Sequence, residues 1–248
     1  MRVPAFSLLT VWLLIDASFS QTTDIGSSKT INSPIYQPVL LGSGANALIN
    51  RIDTQELIEK GQKDGAIMFA CRVNKKGEVT WGETYLGTPE SKLIEQELQK
   101  RLAETRFVAA IYNRLPVDAI YYGTLTFNII NDKPRLRIFS NQETEELKKE
   151  SDFVGPQPFF GNDSKFTGLH YPVENTPVLV NGVATLELKI DAAGNLQAIK
   201  LHGEEPPFLG FGDAAIADFR NAKFIPAFRD GKPVACEITL PVFYKPDS

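Results

Sequence analysis

The stretch GVATLELKIDAAGNLQAIKL, residues 182–201, decides the fold. From Val183 to Ile190 it alternates: Leu186, Leu188 and Ile190 face one way, Thr185, Glu187 and Lys189 the other. Period two is the mark of a half-buried strand. Asp191 to Asn195 is hairpin-turn chemistry, with Gly194 at the position that needs a positive φ. Leu196 to Leu201 makes the returning strand. Further out, Asp213 caps a helix running to about Ala222, with Ala215, Ile216, Phe219 and Ala222 on one face. Phe224 to Phe228 leads to an Asp230-Gly231 turn, and Ala235 to Tyr244 alternates as a third strand.

The same grammar stands earlier in the chain. A shift of 117 residues sets Gly65 on Gly182, Gly77 on Gly194, Pro89 on Pro206, Phe107 on Phe224, Ala110 on Ala227, Pro116 on Pro233 and Val117 on Val234. Conservative pairs agree, such as Val73 with Ile190 and Asn74 with Asp191. Such self-similarity reads as two copies of one unit, 52–140 and 169–248. In the first, Ala66 to Val73 and Glu78 to Tyr85 flank a turn at Asn74 to Gly77. Thr88 caps a helix with Pro89 at its first position and Leu93, Ile94, Leu98 and Leu102 on its apolar face. Ala119 to Ile130 is the third strand, and Arg135 to Phe139 adds a fourth. A short helix at Thr54 to Lys60, ended by Gly61, precedes them.

Geometry then fixes a topology. Two hairpin strands are antiparallel, and the helix carries the chain back so that strand three runs beside strand one. The expected class is α+β: two small antiparallel sheets of order 2-1-3, each with a helix on one face.

Composition bounds the rest. Of 248 residues 43% are hydrophobic and 23% charged, so this is a globular chain. A net charge of −4 offers no basic stripe for nucleic acid. Arg2, the apolar run from Val3 to Ile15 and the small residues Ser18 and Ser20 read as a secretory signal over 1–20, cleaved after Ser20. The competing reading is a retained anchor, but the run is short of the ~20 residues a span requires, and no span is expected after cleavage. Residues 21–51, rich in Ser, Thr, Asn, Gly and Pro, read as a flexible leader, and 141–168 as a linker with a short helix over 143–150 and a semi-extended spacer at Gly155 to Pro158. Cys71 aligns with Leu188 on a central strand, and Cys236 starts the inward face of the other third strand. The expectation is two buried thiols in separate cores and no disulfide.

The second unit resembles the C-terminal domain of the TonB energy-transducer family. The residues that carry this are Tyr171-Pro172, Gly182 opening a strand, Asp191 to Gly194, and then Phe224, Pro226, Ala227, Gly231, Pro233 and Val234 before the third strand. The first unit departs from the pattern at Ala109, Arg114 and Thr54-Gln55, and reads as a diverged copy. The resemblance implies an exported protein in the periplasm of a Gram-negative bacterium, without cofactor, that binds a protein or extended peptide by adding a strand to a sheet edge. It implies a link to transmembrane transport, with an outer-membrane transporter as the partner class.

The third strand supplies the expected contact, at Ala235, Glu237, Thr239, Pro241 and Phe243. Pro241 removes a ladder donor, so its nitrogen belongs on the open side of an edge. No Gly-x-Ser-x-Gly elbow or His-Glu-x-x-His motif occurs, and His170 and His202 read as surface residues. No enzymatic activity, catalytic residue or metal site is expected. The apolar outer face of the first sheet, Met68, Ala70, Ile120 and Tyr122, is expected to pack on the linker or on the other unit. Two alternatives stay open: a structural or assembly protein whose units pack on each other or self-associate, and an atypical energy transducer with an uncleaved anchor.

Overall fold

In the computed structural model, which describes residues 33–172 and 179–246, the chain is mixed α+β with antiparallel ladders. The elements in order are β1 (Tyr36–Gln37), α1 (Leu48–Arg51), α2 (Thr54–Glu59), β2 (Gly65–Val73), β3 (Val79–Tyr85), α3 (Lys92–Leu102), β4 (Ala110–Tyr112), β5 (Leu115–Ile130), β6 (Lys133–Phe139) and α4 (Thr144–Lys148). There follow β7 (Gln157–Phe160), β8 (Gly182–Ile190), β9 (Leu196–Glu205), α5 (Phe211–Phe219), β10 (Phe224–Ile225), β11 (Ala227–Arg229), β12 (Lys232–Val234) and β13 (Cys236–Tyr244).

The larger sheet runs β1-β4-β5-β2-β3, and a smaller one runs β13-β8-β9. In each, the first hairpin strand lies between its partner and the strand that follows the helix. The nine pairs of β2 with β5, from Gly65 opposite Phe127 to Val73 opposite Ala119, reappear 117 residues on between β8 and β13, from Gly182 opposite Tyr244 to Ile190 opposite Cys236. The β4–β5 hairpin pairs Ala110 with Val117, and β11–β12 pairs Ala227 with Val234. The buried helix residues are Ile94, Leu98 and Leu102 in α3, and Phe211, Gly212, Ala215 and Phe219 in α5.

One local device recurs with atomic detail. Asn74 Oδ1 accepts the N–H groups of Lys76 and Glu78, and Asp191 Oδ1 accepts those of Ala193 and Asn195. This side-chain turn throws the next glycine into the left-handed region, φ +78° at Gly77 and +80° at Gly194. Each glycine carbonyl then accepts a backbone N–H at 2.9 Å, from Phe107 and from Phe224.

Several local expectations change. α3 starts at Lys92, not at Pro89: the Gln62 side chain accepts the Ile94 N–H, while Thr88 Oγ1 takes the Ala66 N–H on the neighbouring strand. α5 starts at Phe211 and ends at Phe219, and Asp213 lies inside its first turn. The cap comes from Glu204 on β9, whose carboxylate accepts the N–H groups of Leu209 and Gly212. Both helices are capped by side chains from outside the helix, Gln62 well upstream of α3 and Glu204 on the strand just before α5, which satisfy orphan first-turn donors as well as an N-cap residue does.

Two segments expected to be loose are packed. Of the leader expected over 21–51, residues 33–51 hold β1 and α1, with Val39 and Leu48 fully buried; 21–32, like the expected signal, lie outside the described residues. Gln157–Phe160, in the expected linker and overlapping its spacer at Gly155 to Pro158, is a strand. β7 pairs with β10 on one side and with β5 on the other, so it joins the two halves. Gln157 is buried, and its side-chain amide bonds both the N–H and the C=O of Val39, as a neighbouring strand would.

Two apolar clusters follow. The first lies between β2, β5 and α3 and includes Phe69, Cys71, Tyr121, Phe127 and Phe159. The second contains α5 and the inner face of β8 and β13, but also Ala70, Ile120 and Tyr122 of the first sheet's outer face, with Met68 packed against it. That face is covered within the chain, and from Ser33 onward the chain forms one compact unit. Cys71 is fully buried in the first cluster. Cys236 is only half-buried, against the second, and both are free thiols. Burial, with the Glu143 charge nearby, pushes the Cys236 thiol up to about 12, so it is an inert packing group at neutral pH.

Candidate protein-contact edge

β13 is an outer strand, bonded to β8 on one side. Side chains at Cys236, Ile238, Leu240, Val242 and Tyr244 face the α5 side, opposite Ile190, Leu188, Leu186, Ala184 and Gly182. The intervening residues, Glu237, Thr239, Pro241 and Phe243, turn their main-chain groups to the open side. Thr239 shows this directly, because its N–H donates to Glu143 Oε2 at 2.8 Å. The Pro241 nitrogen falls in the same outward set, where the absent donor costs no ladder bond.

The open side is partly occupied. Besides the Glu143 cap on Thr239, the Pro241 carbonyl accepts the Tyr85 hydroxyl at 3.2 Å. The Tyr85 and Phe243 rings stack with centroids 5.4 Å apart and planes 3° from parallel. Tyr85 is itself fixed by Gln142, a buried side chain that also donates to the carbonyls of Phe69 and Gly123. Burial pushes the Tyr85 hydroxyl well above its ordinary range, so it stays a neutral donor. Of the expected contact residues, Ala235 and Glu237 are exposed, Thr239 and Phe243 half-buried and Pro241 buried. Sequence reasoning missed Tyr85, Gln142 and Glu143, which lie about a hundred residues or more upstream and carry no local signal of the pairing.

By contrast, among the described residues no backbone hydrogen bond outside the β8 ladder involves β9. Its register shifts between Thr185 and Leu186 and between Lys189 and Ile190, and it carries Lys200, His202 and Glu205. Bulges and charges of this kind guard an edge against unwanted pairing.

The motif residues form the frame behind the edge. The Tyr171 hydroxyl donates to the Val180 carbonyl at 2.7 Å and accepts the Val180 N–H at 3.1 Å. Its ring meets Phe211 edge-on. A Cβ at Gly182 would stand 2.3 Å from the Phe211 ring, so a side chain there has no room. Phe224, Pro226 and Ala227 are buried, while Asp230 and Gly231, both at positive φ, make the hairpin turn before Pro233 and Val234.

A second clasp holds the β11–β12 hairpin. Arg229 donates to both oxygens of Glu146, at 2.8 and 3.2 Å, and Asp152 accepts the Asp230 N–H. The bonds from Arg229, then Ser151, hold the Glu146 carboxyl below the usual carboxylate range. A depressed folded value stabilises at pH above the unfolded one and is lost as pH falls through the folded one. Glu146→Gln is expected to lower stability by about 1 kcal/mol at pH 7, a figure discounted because Arg229 is partly exposed. The loss shrinks toward zero once pH falls below the ordinary value of 4.5 and through the lowered one. Urea unfolding at pH 7 and pH 3 checks this, and an equal loss at both would deny the charge its part. The histidines sit at the surface: His170 Nδ1 is 2.6 Å from Asp218, which also accepts the Tyr244 hydroxyl, and His202 Nδ1 is 2.9 Å from Glu187.

Residues 167–246 match the model of the Gram-negative bacterial TonB protein C-terminal. The match spans β8 to β13 with α5, the smaller sheet and its helix, and leaves the first half outside it. The TonB C-terminal family is non-enzymatic, works in the periplasm, and meets outer-membrane transporters and other proteins. No curated protein and no solved structure matches the chain.

Proposed function

We propose that this is an exported, periplasmic, non-enzymatic binding protein linked to transport, in which residues 169–248 take an extended partner segment along β13. On this reading 52–140 is a diverged copy of the same unit. The identical ladders and turn devices at an offset of 117 support that relation. The first copy has lost its edge: β6 pairs with β5 from Thr124 onward, and Thr124 is the counterpart of Pro241.

The observation that carries the binding reading is how β13 is covered. Two of its outward groups, the Thr239 N–H and the Pro241 carbonyl, are capped by side chains rather than paired with a strand. An incoming strand replaces those two bonds with its own main-chain bonds. The first half therefore competes in cis with the partner. Each cap has the worth of a single hydrogen bond, about 1 kcal/mol net.

The test is titration of isotope-labelled protein with synthetic transporter plug peptides, followed by amide shifts. Movement at Glu237, Thr239 and Phe243 supports the edge; movement confined to β9 relocates it, and silence at both strands overturns it. Removing both caps, Glu143→Ala with Tyr85→Phe, is expected to tighten the same peptide by about fivefold or more. Unchanged affinity in that variant would remove the competition.

A further inference from the structure

A cleft of about 330 Å³ lies where the first sheet's outer face meets the end of β13. It falls in the size range of small-molecule sites, roughly 300–1,000 Å³, and such sites favour the seam between packed units. Its floor is a row across the first sheet: Trp81 on β3, Arg72 on β2 and Ile120 on β5 stand directly opposite one another. One wall is Phe160 from β7. The other is Phe243 with Lys245.

The chemistry of this cleft is flat, apolar and cationic at once. The Arg72 guanidinium lies over the Phe160 ring, 4.0 Å from its centroid, and Asp118 holds it by a 2.8 Å bond to Nη2. Asp118 is itself fixed, since its other oxygen accepts the Lys75 N–H. Ring and carboxylate thus hold a planar fork in place, and only one of its five N–H donors is given to Asp118. Lys245 likewise gives one of three donors, to Glu83 at 3.0 Å. Phe243 is steadied by its stack on Tyr85. Aromatic walls select a flat apolar body, and a pre-set guanidinium with spare donors selects one anionic group on it.

We propose that this cleft binds a compact aryl carboxylate, with the ring between Trp81 and Phe243 and the carboxylate at Arg72 and Lys245. The site shares Phe243 with the outward side of β13, but its ligand and its readout at Trp81 do not rest on the peptide-binding reading. It belongs to neither half alone, since Trp81 and Arg72 come from the first and Phe243 and Lys245 from the second.

The chain has two tryptophans, Trp12 and Trp81, so one resonance reports the cleft. The full chain is labelled with 5-fluorotryptophan, the Trp81 signal is assigned with Trp12→Phe, and fluorine spectra follow titration with 2-naphthoate and with neutral 2-naphthamide. The acid is expected to move the Trp81 signal and to bind about tenfold tighter than the amide. Arg72→Gln is expected to weaken the acid by about tenfold and leave the amide unchanged. Lys245→Gln, at a more exposed side chain, is expected to act in the same direction and guards against a folding defect in the first variant. Equal binding of acid and amide, an acid affinity indifferent to both variants, or an unmoved Trp81 signal each overturns the proposal.

Discussion

Gly194→Ala is expected to lower the unfolding free energy by about 3 kcal/mol. Two costs combine. The residue sits at φ +80°, where a side chain costs about 1–2 kcal/mol. A Cβ there would also stand 1.9 Å from the Phe224 carbonyl oxygen, and that backbone atom cannot swing aside. Relief means parting the two segments, which loses the 2.9 Å bond from Phe224 N–H to the Gly194 carbonyl, about 1 kcal/mol more. Gly77→Ala meets the Phe107 carbonyl at 2.1 Å and is expected to cost the same within about 1 kcal/mol. Urea unfolding of the two variants provides the comparison. A loss below about 1 kcal/mol at either position would mean that the turn relaxes freely, and a large inequality would separate the two turns in kind.

Phe159→Ala is expected to cost about 4 kcal/mol, the usual range for deleting a buried aromatic ring. Phe159 is 1% exposed and stacks on Tyr112 with centroids 4.3 Å apart. Its strand, β7, bonds β5 in one half and β10 in the other. The loss is therefore expected to reach both halves, read as faster amide exchange in β5 and in β10 together. Exchange that quickens on one side only, or a cost under about 1.5 kcal/mol, would return the segment to the role of a spacer.

What was legible in the sequence is what local chemistry writes. Strand alternation at Leu186, Leu188 and Ile190 and the Asp191-to-Gly194 turn follow from neighbours within about twenty residues, the order 2-1-3 follows from the helix that carries the chain back, and the structure carries each of them. The outward nitrogen of Pro241 was legible for the same reason. What stayed hidden depends on partners in other elements, most of them far along the chain. Pro89 looked like a first helical residue because nothing nearby announced that Gln62 would supply the acceptor to Ile94. Asp213 looked like a cap because Glu204 lies on the preceding strand. Gly155-Pro156-Gln157-Pro158 looked like a spacer because the strands that β7 bonds, β5 and β10, are far from it in sequence. The caps on β13 are the extreme case: Tyr85 reaches Pro241 across 156 positions, and no periodicity records such a contact.

The side-chain amide of Gln157 sets a limit on how far the protein can be shortened. Boundaries drawn from the repeat would start a fragment at residue 52. That cut removes Val39 and leaves a buried amide with neither its donor nor its acceptor partner. It also strips β1 from the end of the larger sheet, where Tyr36 pairs with Tyr112. A fragment that keeps these contacts has to begin ahead of Tyr36, well before the boundary that the self-similarity suggests.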